Sequence, residues 1–102
     1  MKILVGQYHM NSYGGTETFT YALICELLSK DHDVDFICIK EGVLSERIER
    51  EFPQVSVNCG FKRSYDIALV NHNVVVDKIL RMGIKTKNYT NLSWYSSRFR
   101  KA

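Results

Sequence analysis

The sequence predicts an α/β domain: a Rossmann-like parallel sheet with helices on both faces. Three observations lead there. Apolar runs of strand length recur at residues 2–6, 34–39 and 67–70. Longer segments with helical periodicity lie between them, and strands alternating with helices pack as parallel βαβ units. The pair Gly14-Gly15 stands between the first run and the first helical segment, where such units carry a loop over the sheet edge.

Taken in order, residues 2–6 read as a strand buried on both faces, and residues 7–14 as a loop containing His9, Asn11 and Ser12. Residues 16–30 read as a helix, because Phe19, Leu23, Ile24, Leu27 and Leu28 recur at helical spacing and form one apolar face. Thr16 is the expected N-cap, and Glu17 in the first turn suits the helix dipole. Asp31 is the candidate for the left-handed position that ends the helix. Residues 34–39 form the second strand, and residues 43–52 a shorter charged helix stopped by Pro53. Val55-Ser56-Val57 reads as a short third strand. Ile67-Ala68-Leu69-Val70 is an uninterrupted apolar run, as a central parallel strand requires. Residues 74–82 read as a helix closed by Gly83, and residues 84–90 as a weak, peripheral strand.

At 102 residues the chain is long enough for one domain and a modest core. No apolar run approaches the roughly 20 residues that span a bilayer. No basic-then-apolar leader precedes the first strand, so a cytoplasmic protein is expected. The three cysteines, Cys25, Cys38 and Cys59, include no CxxC and are expected to be buried structural thiols. Without a secretory signal, Asn88-Tyr89-Thr90 and Asn91-Leu92-Ser93 match the glycosylation pattern by accident.

The net charge of +3 conceals an asymmetry. Residues 1–60 carry five Lys/Arg and nine Asp/Glu, whereas residues 61–102 carry nine and two. A basic half suits an anionic partner or is simply a solvated surface. The closing stretch Trp94-Tyr95-Ser96-Ser97-Arg98-Phe99-Arg100-Lys101 mixes aromatics with cations. It reads first as a helix awaiting a packing partner, with peripheral contact to a membrane surface or contact to single-stranded nucleic acid as the second reading. Nucleic acid is not the expected partner.

The candidate site follows from topology. In a doubly wound sheet the first strand and the Ile67–Val70 strand are neighbours, and ligands bind outside their carboxyl ends. His9 and Asn11 on one side, with Asn71, His72 and Asn73 on the other, then wall a cleft. A helix N-terminus favours negative charge, and glycines let a ligand approach the backbone. Gly14, Gly15 and Thr16 are therefore the candidate phosphate contacts. Gly14-Gly15-Thr16-Glu17-Thr18 is not the GxGxxG dinucleotide turn, although Glu41 could stand in for its ribose-binding acid, and no Walker motif is present. His32, at the start of a strand, reads as a structural hydrogen bonder. The three histidines lack metal-ligand spacing, and no metal or cofactor is expected.

The opening MKILVGQYHMNSYGGTETFTYALICELLSKDHDVDFICI resembles the N-terminus of the family 4 glycosyltransferases, which have the GT-B fold. That family has a first strand, a loop ending in Gly-Gly-x-Glu, a helix, and Gly-His-x-Val opening the second strand. Gly14-Gly15-Thr16-Glu17 matches the first motif, and Asp31-His32-Asp33-Val34 the second with Asp in place of Gly. The stretch Tyr65-Asp66-Ile67-Ala68-Leu69-Val70-Asn71-His72 is similar to the family's Asp-led strand with a His near its end. The resemblance spans roughly residues 1–73.

It implies metal-independent sugar transfer from a nucleotide-sugar donor to an acceptor, with retention at the anomeric carbon. Gly14, Gly15 and Thr16 would lie against the donor diphosphate. Asn91 falls near the position of the family's active-site histidine, and His72 is the other catalytic candidate. The family's second domain, which supplies most donor contacts and a paired-glutamate motif, has no counterpart in these residues. Residues 1–102 are thus expected to be one incomplete domain, the acceptor-side half, inactive alone. The rival expectation is a non-enzymatic Rossmann-like module that binds a phosphate-bearing ligand or a protein partner.

Overall fold

The computed structural model of the chain describes residues 1–10 and 14–92. The elements run β1 (Lys2–His9), α1 (Gly15–Ser29), β2 (Asp33–Lys40), α2 (Val43–Glu51), β3 (Ser64–Tyr65), β4 (Ile67–Val70), α3 (Asn73–Arg81), β5 (Lys85–Thr86) and β6 (Tyr89–Asn91). The main sheet has the order β2-β1-β4-β6 and is parallel throughout; β3 and β5 form a separate two-stranded parallel sheet. The fold class is the one expected.

Side chains of β1 divide by the period of the strand. Ile3 and Val5 join Leu23, Ile24 and Leu27 of α1 and Leu44 and Ile48 of α2 in one core. Leu4 turns the other way and joins Ala68, Val70 and the α3 residues Val75 and Ile79 in a second core. Covered on both sides, β4 has no polar side, which explains its unbroken apolar sequence. Each buried aliphatic side chain in these layers contributes roughly 1.5–3 kcal/mol.

Several boundaries differ from expectation, each for a local reason. β1 does not stop at residue 6 but continues through His9, because β2 is equally long and keeps pairing through Gln7↔Cys38 and His9↔Lys40. The N-cap of α1 is Gly14 rather than Thr16, since the Gly14 carbonyl already accepts from Thr18 N at 2.9 Å. Residues 55–57 make no strand; only Val57 bridges to Phe36, and the chain turns at once at Asn58, φ +61°. Asn58 instead caps the β2 edge, its Oδ1 accepting from Cys38 N at 2.8 Å. Residues 84–90 divide into β5 and the start of β6, and β6 joins the main sheet beside β4.

Asp31 holds the left-handed position after α1, φ +63°, and Gly83 does so after α3, φ +72°. His32 Nδ1 accepts from the Met1 ammonium at 3.2 Å, a structural contact at the sheet's amino end. Among the cysteines, Cys38 is buried and its thiol is pushed up to about 11 by that burial. Cys25 is half-buried, and Cys59 is exposed, contrary to expectation, because it lies on the turn beside Gly60 rather than under a helix. Among the described residues no helix is long and apolar enough to cross a membrane. Residues 94–101 lie outside the described residues.

Candidate functional site

β1 and β4 are neighbours in the sheet, with Gly6 opposite Val70, so the segments leaving their carboxyl ends meet. The meeting is held by a short polar chain. Gln7, buried in β1, accepts at Oε1 from Thr20 of α1 and from Asn71 Nδ2, each at 3.0 Å. Asn71 Oδ1 in turn accepts from Tyr8 N at 3.1 Å. The Tyr8 ring centroid lies 4.5 Å from that of His9 and 4.8 Å from that of His72. His9 and His72 thus both contact one aromatic ring. His9, expected on a loop, belongs to the end of a strand and is exposed.

His72 ends the β4 connection and caps α3. Its Nδ1 accepts from Val74 N at 3.1 Å, and its carbonyl accepts from Val75 N and Val76 N. An imidazole nitrogen that accepts carries no proton, so neutral His72 bears its hydrogen on Nε2. In this geometry His72 offers a hydrogen-bond donor rather than a general base.

Beside it opens a pocket of about 380 Å³ lined by Val70, Asn71, His72, Asn73, Val76, Tyr89, Thr90 and Asn91. The residues after β4, the first turn of α3 and the edge strand β6 form its walls. His72 and Asn91 therefore share a pocket, and Asn71 and Asn73 stand in the same wall. No carboxylate or ammonium side chain lines it among the described residues.

Gly14, Gly15 and Thr16 begin α1, which packs on the opposite face of the sheet from α3. α1 has no N-cap side-chain hydrogen bond, in contrast to α3. The Glu17 carboxylate folds toward the same end, so that a β-carbon on Gly14 would lie 3.0 Å from Glu17 Oε2. At Gly15 a β-carbon would meet nothing within 4 Å among the described residues, and its φ is not positive. Asn11 lies outside the described residues. Among the described residues, no group of three or more His, Cys, Asp or Glu side chains could hold a metal ion.

Gln7 and Tyr8 were expected beside Asn71 only as part of a loop, and Thr20 was not anticipated. The available signals were a glutamine interrupting an apolar β1 pattern and a threonine within reach of the buried face of α1.

Together these features define a Rossmann-like α/β domain with a polar, uncharged pocket at the carboxyl edge of its sheet. No family model, curated protein or solved structure matches the chain.

Proposed function

We propose that this domain is the acceptor-side half of a retaining glycosyltransferase, which moves a sugar from a nucleotide-sugar to an acceptor. The observation that carries the reading is the pocket shared by His72 and Asn91. The first is the histidine beyond the Asp-led strand; the second falls near the active-site histidine of the family the sequence resembles. These are separate parts of that resemblance, and they converge on one cavity.

The start of α1 supports the same reading. The donor diphosphate would lie along Gly14, Gly15 and Thr16, where the helix dipole favours negative charge. The Glu17 carboxylate, which lies beside Gly14, would have to move to admit it. The acceptor would occupy the pocket on the α3 side. Transfer needs both substrates held in register, so a domain that supplies one wall does not turn over alone.

The test has two parts on the 102-residue chain. Millimolar UDP, GDP and ADP are titrated into the 15N-labelled protein, and the amide signals of Gly14 and Gly15 are expected to move. UDP-glucose and GDP-mannose are then incubated with the unlabelled protein, and no release of nucleoside diphosphate is expected. Unmoved glycine signals with every nucleotide would remove the donor wall. Sustained turnover by the chain alone would overturn the half-site reading.

A further inference from the structure

We propose that the pocket beside α3 binds a neutral, hydroxyl-rich ligand of the pyranose class and discriminates against phosphorylated ones. This rests on the reading of that pocket as the acceptor side and names what it accepts.

A helix N-terminus facing a cavity ordinarily attracts an anion. Here that attraction is partly answered within the protein. The N–H of Val74 is taken by His72 Nδ1, and those of Val75 and Val76 by the His72 carbonyl. The cavity wall also supplies no cation among the described residues. A phosphate entering it would lose water, gain no counter-charge from the wall and find the Val74, Val75 and Val76 N–H groups already taken, which is costly for an ion.

The groups that do face the pocket suit a sugar. His72 presents Nε2–H, and the Asn73 amide and Thr90 hydroxyl, exposed and half-buried respectively, have no hydrogen-bond partner among the described residues. These are neutral donors and acceptors, matched to hydroxyl groups that both give and receive. Val70 and Val76 supply an apolar surface, and Tyr89, 41% exposed on the edge strand, offers a ring against which the C–H face of a pyranose can lie. Valine and tyrosine surface beside several polar side chains can both cover such a ligand and fix its orientation.

The experiment titrates the 15N-labelled chain with the methyl glycosides of glucose, galactose, mannose and N-acetylglucosamine, and separately with inorganic phosphate and glucose 6-phosphate. At least one neutral glycoside should move the amides of His72, Asn73 and Thr90, while phosphate leaves them in place. Tyr89→Ala and Asn73→Ala should each weaken that glycoside about fivefold, the loss expected for one neutral contact. His72→Ser keeps a capping side chain and should weaken it similarly. Unchanged dispersion of the remaining amide signals verifies folding in each variant.

The inference is overturned if no glycoside moves these signals up to its solubility limit, or if glucose 6-phosphate binds there more tightly than methyl glucoside. The diphosphate titration reads Gly14 and Gly15 instead. Movement there with a silent pocket would sink this inference and leave the functional reading standing; the converse would sink the donor wall alone.

Discussion

Gly6 and Val75 approach so closely that a β-carbon on Gly6 would lie 2.6 Å from Val75 Cγ1 and 2.9 Å from Val70 Cγ1. The missing side chain is what lets α3 settle onto β1, and α3 carries His72 at its start. Packing, rather than backbone conformation, demands glycine at this position. Gly6→Ala is expected to cost about 1–3 kcal/mol by overpacking a dense core. Urea denaturation measures it. The second variant Val75→Ala should recover part of the loss in the Gly6→Ala background, giving a coupling between the two sites in a double-mutant cycle. Strictly additive losses would mean that the two residues do not compete for the same space.

The capping role of His72 makes a separate prediction. His72→Ala should lower stability by about 1 kcal/mol, and His72→Ser or His72→Asp should restore most of it, because each retains an oxygen that can accept from the first turn. Two-bond proton–nitrogen correlation should find the neutral ring with its hydrogen on Nε2. A hydrogen on Nδ1 would remove both the cap and the donor assigned to the pocket.

A buried carboxylate pins the other end of the sheet. Asp35, 1% exposed, accepts from Tyr65 Oη at 2.7 Å, Lys62 Nζ at 3.0 Å and Ser56 N at 3.1 Å. Tyr65→Phe should cost about 1.5–3 kcal/mol, the range for a hydrogen bond to a charged group. Burial, and then the bond to Asp35, raise the Tyr65 phenol well above its ordinary value of 10.0. A raised folded-state value means that the folded protein holds this proton more tightly than the unfolded chain. The resulting stability is fully present below the unfolded value and declines as pH rises from there through the folded one. Wild type should therefore lose stability above pH ~10 more steeply than Tyr65→Phe. Parallel slopes in denaturation measured across that range would remove the proton linkage.

Gly15 tests the donor wall. Its φ is not positive, and a β-carbon there would meet nothing within 4 Å among the described residues. The described residues thus place no demand for glycine at this position. Gly15→Ala should leave stability unchanged or raise it by up to about 1 kcal/mol, the helix-propensity difference. Gly15→Val should fold and yet weaken nucleoside diphosphate binding, because its branched side chain occupies the space a diphosphate oxygen would approach. Equal affinities in two well-folded proteins would make Gly14-Gly15 only a connection between β1 and α1.

The sequence by itself determined the order and kind of the main elements. Ile67–Val70 was legible because a strand covered on both faces must be apolar throughout, and α1 because Leu23, Ile24 and Leu27 repeat at helical spacing. Asp31 and Gly83 were legible as left-handed positions because few residue types adopt that backbone readily. Topological reasoning also brought Asn71 and His72 to the end of β1.

Only the tertiary structure decided the rest, because the deciding partners are distant in the chain. β1 extends through His9 because β2 offers partners for it, a fact that no local pattern around Gln7 contains. Gln7 reads as a polar residue leaving a strand until Thr20 and Asn71 close on it from two other elements. Gly6 reads as a weak strand residue until Val75 arrives above it. Asp35 falls within the expected 34–39 strand, and nothing adjacent to it in the chain announces the Tyr65, Lys62 and Ser56 that bond it. His72 reads as a possible base, and becomes a donor only once α3 begins beneath it and its first-turn N–H occupies Nδ1. Local propensity and periodicity are properties of neighbours along the chain; burial, tautomer and close packing are set by neighbours in space.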